Sequence, residues 1–281
     1  MNLIWLFPKR SRDYALGSHD LLFITLDTLR YDVAQELFRQ GRLPTLTCYL
    51  PPTGWEARHS PASFTYAAHH AFFAGFLPTP IAPGPHPRLF AARFPGSETT
   101  TETTLVFDAP DLPGGLAQLG YHTICIGGVG FFNKQSELGS VLPSLFNESY
   151  WDPSLGVTDP HSTENQVALA CSLLRRLPRE HRLFLFMNIS ALHQPNYFYL
   201  PGNTSKQDTL ESHAAALVYV DAQLPPLFAA MLRHAPTLVI LCSDHGTAYG
   251  EDGYYGHRLA HPVVWLVPYA EFVLPDQEEG V

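Results

Sequence analysis

Thr237-Leu-Val-Ile-Leu-Cys-Ser-Asp-His-Gly246 sets an apolar run of strand length directly before a carboxylate and an imidazole. In open α/β sheets ligands bind beyond the carboxyl ends of the strands, and adjacent Asp and His side chains can reach one borderline cation. Asp244 and His245 are therefore candidate metal ligands. A second apolar run, Leu21-Leu-Phe-Ile-Thr-Leu26, leads in the same way into Asp27. As an isolated residue Asp27 would read as a helix cap. Paired with a distant Asp-His that also ends a strand, it reads as a third ligand.

Working outward, strand and helix patterns alternate along the chain. Leu29 to Gly41 and Ala67 to Phe76 have helical spacing, and Leu116 to Tyr121 is a short helix closed by glycine. Helices follow at about 161–177 and 208–233, and strands at 122–126, 183–188, 237–242 and 262–267. This order predicts an α/β fold, a three-layer α/β/α sandwich around a mostly parallel central sheet. With no repeat and no clear linker, residues 1–281 are expected to form a single domain. Pro78 to Pro113, dense in Pro, Gly and Thr, reads as a long surface excursion.

Seventeen basic against 26 acidic residues give a formal charge of −9, which argues against nucleic acid as a partner. The apolar start Met1 to Phe7 is too short for a signal peptide or a membrane span, so no membrane anchor is expected. Cys48, Cys125, Cys171 and Cys242 stand far apart and form no Cys-x-x-Cys pair; they read as buried thiols of a reducing, cytoplasmic compartment. In that compartment the Asn-x-Ser/Thr triplets at Asn147, Asn188 and Asn203 carry no glycan.

Four segments occur in the order seen in sulfatases and their relatives: Phe23 to Asp32, Thr65 to Pro78, Leu116 to Gly127, and Ser243-Asp-His-Gly246. The chain resembles the sulfatase-like branch of the alkaline phosphatase superfamily over roughly residues 20 to 268. The resemblance implies an alkaline phosphatase-like fold with Asp27, Asp244 and His245 as metal ligands. It also places the nucleophile at a helix N-terminus ten residues before a glycine. Counting back from Gly75 gives Thr65, which would contact both metal and phosphorus. His193, in His-Gln-Pro195, and His257, after the Asp-His-Gly loop, would face the substrate or a second metal. His69, one helical turn after Thr65, is a candidate catalytic group near the phosphate.

The chemistry is coherent on its own terms. A threonine hydroxyl ionises far above neutral pH, so it attacks phosphorus only where a cation stabilises the alkoxide. Amides at a helix N-terminus favour an anionic phosphoryl group beside that oxygen. Sulfatases resemble Cys/Ser-x-Pro/Ala-x-Arg at the nucleophile, whereas this chain has Thr65-Tyr-Ala-Ala-His69; sulfate-ester hydrolysis is disfavoured. Cys171-Ser-Leu-Leu-Arg175 has the spacing but lacks the Pro or Ala and lies in a helical pattern.

The expectation is therefore a metal-dependent hydrolase of a small anionic phosphate, phosphonate or phosphodiester. It would hold one or two divalent ions, zinc by its mixed ligand set or else manganese. Transfer to another acceptor, or an inactive binding protein of the same fold, are the alternatives. A serine hydrolase is disfavoured because no Gly-x-Ser-x-Gly elbow exists. Oligomeric state is not readable from the sequence.

Overall fold

The computed structural model describes residues 16–74, 90–91, 105–106 and 111–274. In chain order the first elements are β1 (Asp20–Leu26), α1 (Tyr31–Arg39), α2 (Pro44–Thr47), β2 (Glu56–His59), α3 (Thr65–Ala74), β3 (Phe90–Ala91) and β4 (Leu105–Val106). Next come α4 (Leu112–Gln118), β5 (Tyr121–Ile126), α5 (Glu137–Val141), β6 (Glu148–Tyr150), α6 (Ser162–Leu174) and β7 (Arg182–Ile189). The chain continues through α7 (Leu210–His234), β8 (Thr237–Cys242), β9 (Ala248–Tyr249), β10 (Tyr255–Gly256), α8 (Pro262–Trp265) and β11 (Leu266–Leu274). The start of the chain, Gly75 and most of the Pro78–Pro113 excursion lie outside the described residues.

The central sheet has seven strands in the order β2-β11-β8-β1-β7-β5-β6. The strands β8, β1, β7, β5 and β6 pair in parallel, while β11 runs antiparallel to both β8 and β2. The most apolar runs occupy the centre: β1 is flanked by β7 and β8 and is buried along its whole length. Strand side chains alternate between faces, and here each face has its own core. Leu22, Ile24, Leu26, Leu185, Met187 and Leu241 join an aliphatic cluster with Leu217, Val220 and Leu224 of α7. Leu21, Phe23, Phe184, Phe186 and Ile240 join an aromatic cluster with Phe73 of α3 and Leu116 of α4. This is the expected three-layer sandwich.

Helix α7 is capped at Thr209, which exchanges hydrogen bonds with Ser212. It is long and apolar enough to cross a membrane, yet half of its most apolar window is buried against the rest of the fold. Asp221, midway along α7, accepts from the amides of Thr45 (3.0 Å) and Leu46 (2.8 Å), so this buried acid anchors the start of α2.

The structure revises two edge elements. Residues 262–267 are not one strand: Pro262 occupies the first turn of α8, where its fixed φ suits a helix start, and the strand begins only at Leu266. The short strands β2 and β6 go unannounced in the sequence. β2 is exposed throughout and β6 is only half-buried, so neither carries the apolar pattern that marks the centre. The expectation of four buried thiols holds for Cys125 and Cys242, whereas Cys48 is exposed and Cys171 half-buried.

Candidate active site

Three strands end at one place. Parallel register aligns the last residues of β1 with those of β7 and β8, which sets Asp27 beside Asn188 and Asp244. The Asp27 amide donates to the carbonyl of Ile189 at 3.1 Å, continuing the ladder one residue beyond β1. The next residue, Thr28, has φ of 65°, a left-handed conformation unusual for a β-branched side chain. That turn aims the Thr28 amide at Asp244 Oδ1 (3.2 Å), while the Thr28 hydroxyl donates to the carbonyl of Leu192 (3.1 Å). The sequence gives no sign of this strained residue.

After β8, the Asp-His pair is fixed by close backbone packing. The amide of Gly246 donates to Val264 at 2.7 Å, and a Cβ at Gly246 would lie 1.9 Å from the carbonyl oxygen of Val263. Only glycine fits between the loop and α8. His245 is oriented by Nδ1, 2.8 Å from the carbonyl of Gly246, which leaves Nε2 turned to the site.

The ligand-type atoms of Asp27, Asp244 and His245 all lie within 4.8 Å of one another, and all three residues are buried. Thr65, the first residue of α3, completes the group: its Oγ1 is 3.2 Å from His245 Nε2 and 3.4 Å from Asp27 Oδ2. Asp27 Oδ1 and Asp244 Oδ2 have no hydrogen-bond partner among the described residues despite being buried. Burial, followed by the charge of Asp244, pushes the Asp27 carboxyl up to about 6; burial pushes Asp244 up to about 7. Burial also lowers His245, which favours the neutral imidazole. Two orphaned carboxylate oxygens and a neutral imidazole nitrogen converging on one point fit a divalent cation.

His193 and His257, both half-buried, stand beside this group. The His257 ring lies 4.6 Å from that of His245 and 5.7 Å from that of His193 between centroids. Desolvation, and then the nearby His245, His193 and Arg258, lower His257 to about 3, so it is neutral here. Its Nδ1 is buried with no hydrogen-bond partner among the described residues. His193 Nδ1 is 2.6 Å from the carbonyl of Gln194.

His69 lies in the core beside the same group, its Nδ1 3.7 Å from Asp244 Oδ2. It is fully buried on the inner side of α3, with Nδ1 2.8 Å from the Thr65 carbonyl and Nε2 3.0 Å from Thr25 Oγ1. Phe72, Phe132 and Phe186 present edge-on contacts around it. Burial lowers it to about 3. The helix face that His69 shares with Thr65 is the one packed on the sheet. Asn188 belongs to the same support: its amide nitrogen donates to Asp27 Oδ2 (3.1 Å) and Thr25 Oγ1 (3.2 Å), and its carbonyl oxygen accepts from Val129 (3.0 Å). A lone asparagine in the apolar run Leu183 to Ile189 was the available signal for it. Fully buried, Asn188 has no room for a glycan.

Residues 87–269 match the Sulfatase family model. The fold is similar to the C-terminal periplasmic domain of the phosphoethanolamine transferase EptC from Campylobacter jejuni, at 15% identity and TM-score 0.58, covering 93% of this chain and 81% of that one. The corresponding Escherichia coli domain, in complex with Zn, gives 13% identity and TM-score 0.58, covering 91% and 72%. The lipoteichoic acid synthase LtaP from Listeria monocytogenes gives 15% and 0.60, covering 94% and 68%. No curated protein matches the chain by sequence. The expected cytoplasmic location is overturned here, because the Campylobacter and Escherichia domains of this fold are periplasmic. Its basis was weak for a physical reason: Cys125 and Cys242 are fully buried and their thiols are pushed upward, so they stay unpaired in any compartment.

Proposed function

Because the chain belongs to the sulfatase family, we propose that it cleaves a small anionic phosphoester through a covalent phosphothreonine at Thr65 and passes the phosphorus-linked group to a hydroxyl acceptor. The observation that carries this is the position of Thr65 Oγ1, at the start of α3 and within 3.4 Å of both Asp27 Oδ2 and His245 Nε2. Asp27, Asp244 and His245 would hold the cation, with Thr65 Oγ1 beside it. Zinc suits a set mixing carboxylate with imidazole, and manganese is the rival. A bound divalent ion would favour the ionised Thr65 hydroxyl and draw charge from the phosphoryl oxygens.

The chain's own groups account for the remaining steps. Thr65 forms an Oγ1–P bond as the bond from phosphorus to the leaving alcohol breaks, and the hydroxyl proton ends on that alcohol. The amides of the first turn of α3 face the phosphoryl oxygens. His193 and His257, beside this group, are placed to hydrogen-bond the entering and leaving oxygens. An acceptor hydroxyl then takes the group and restores Thr65. His69, Thr25 and Asn188 keep the nucleophile in place throughout.

Transfer is favoured over hydrolysis because the similar Campylobacter structure carries a transferase name and the Listeria one is a synthase. Hydrolysis is the same sequence with water as acceptor. Sulfate-ester chemistry does not suit Thr65, which cannot become formylglycine. The test is acid quenching of the metal-loaded protein with an aryl phosphoester, followed by peptide mass spectrometry and product analysis with and without an added alcohol. Phosphate on Thr65 and an alkyl phosphate product are expected. Phosphate released at the same rate with or without alcohol makes the protein a hydrolase. No adduct and no turnover leaves a binding protein of this fold.

A further inference from the structure

At the edge of the sheet opposite Thr65, α6 and α7 both end beside a cleft of about 520 Å³. Its lining includes Arg175, Arg176 and Arg179 from the chain leaving α6, and Arg233 and His234 from the last turn of α7. Cations at helix C-termini commonly offset the negative end of the dipole. Two helix ends amount to about one negative charge together, which four guanidinium groups exceed by roughly three. None of the four has an ion-pair partner among the described residues, although the chain carries more acidic than basic groups. Arg182, at the start of β7, is instead turned to Asp20 at 3.5 Å.

The floor of the cleft supplies the second observation. His234 is 7% exposed, and its Nδ1 makes a close hydrogen bond with the Asp20 carboxylate. On the side of the ring away from Asp20, Nε2 is buried and has no partner among the described residues. With Nδ1 engaged by Asp20, Nε2 is the ring nitrogen left for a group in the cleft. Guanidinium forks around a buried ring nitrogen match a tetrahedral oxyanion bearing more than one charge.

We propose that this cleft is a second anion site, for a phosphate monoester group, separate from the candidate active site. β1 separates the two, with Asp20 at its start and Asp27 just past its end, a distance of roughly 20 Å. The ligand is a phosphate group, from a free phosphate compound or from the headgroup of an anionic lipid. The proposal does not depend on the chemistry of Thr65.

Inorganic phosphate titrated into the full chain, followed through the ring resonances of His234, tests it directly. In parallel, co-sedimentation is measured with phosphatidylcholine vesicles with and without phosphatidic acid. Wild type is compared with Arg175→Gln/Arg233→Gln, both exposed changes, and with Asp244→Ala, which disables the active-site end. Saturable binding that survives Asp244→Ala and weakens at least tenfold in the double variant is expected. Phosphate binding with no vesicle preference identifies a free anion, and binding confined to phosphatidic acid vesicles identifies a lipid headgroup. Saturation with neither ligand, or binding unchanged in the double variant, overturns the site.

Discussion

Asp20 and Asp27 flank one strand, are equally buried and differ in a single respect. Asp20 has both oxygens engaged: Oδ1 accepts from the Leu183 amide at 2.9 Å with Arg182 nearby, and Oδ2 from His234. Asp27 shares Oδ2 with Asn188 and Thr65 and leaves Oδ1 with no partner among the described residues. A buried carboxylate with both oxygens hydrogen-bonded is satisfied by the scaffold, whereas one with an unpartnered oxygen is a candidate cation ligand. Burial alone does not separate the two cases.

The sharpest way to break this comparison is to substitute both residues. Asp27→Asn removes a ligand, and phosphoester turnover should fall by at least about 10³-fold with loss of metal by elemental analysis; metal retained at the wild-type ratio would refute the assignment. Asp20→Asn should leave the bound metal unchanged and cost about 3–5 kcal/mol in denaturant unfolding, because His234 and Arg182 lose a buried partner. Equal effects of the two substitutions on metal would erase the distinction.

The pH dependence of the metal-free protein sharpens it further. Asp27 and Asp244 are raised from 3.8 to about 6 and about 7, so the folded state binds more protons than the unfolded state across that window. Stability is then highest below about pH 4 as far as these two groups are concerned. It falls by a few kcal/mol as pH rises towards about 7, and metal restores it at neutral pH. Because the lowered His69 and His257 contribute the opposite slope, metal-free wild type is compared with Asp27→Asn/Asp244→Asn by chemical unfolding at pH 5 and pH 8; a wild type that loses no stability relative to the double variant between the two pH values would contradict it. The smallest effect is a gain: in metal-free protein at pH 8, Asp27→Asn should add roughly 1–3 kcal/mol by removing a poorly solvated charge. No gain there would mean that water or a neighbour satisfies Asp27.

Much of the central architecture was legible because it is local. The runs 21–26, 183–188 and 237–242 announce buried strands by composition, and Asp27, Asp244 and His245 announce themselves by ending two of them. The long helices were legible for the same reason, to within a few residues at their ends. The edges were not: β2 and β6 lack an apolar signature, and the 262–267 segment divides where a proline starts a helical turn.

By itself, then, the sequence determined which residues end the central strands, and so which carboxylates and imidazole could meet. The tertiary structure decided what each of them does. It turned His69 into the core beneath Thr65, brought Asn188 and the strained Thr28 to the candidate ligands, paired both oxygens of Asp20 and left Asp27 Oδ1 without a partner among the described residues. The physical reason is that a hydrogen bond is satisfied or left unmade by partners 160 to 220 residues away, as from Thr28 to Asp244 or from Asn188 to Asp27. Strand register creates those neighbours, and no local pattern in the chain encodes which of them will hold a free pair of electrons.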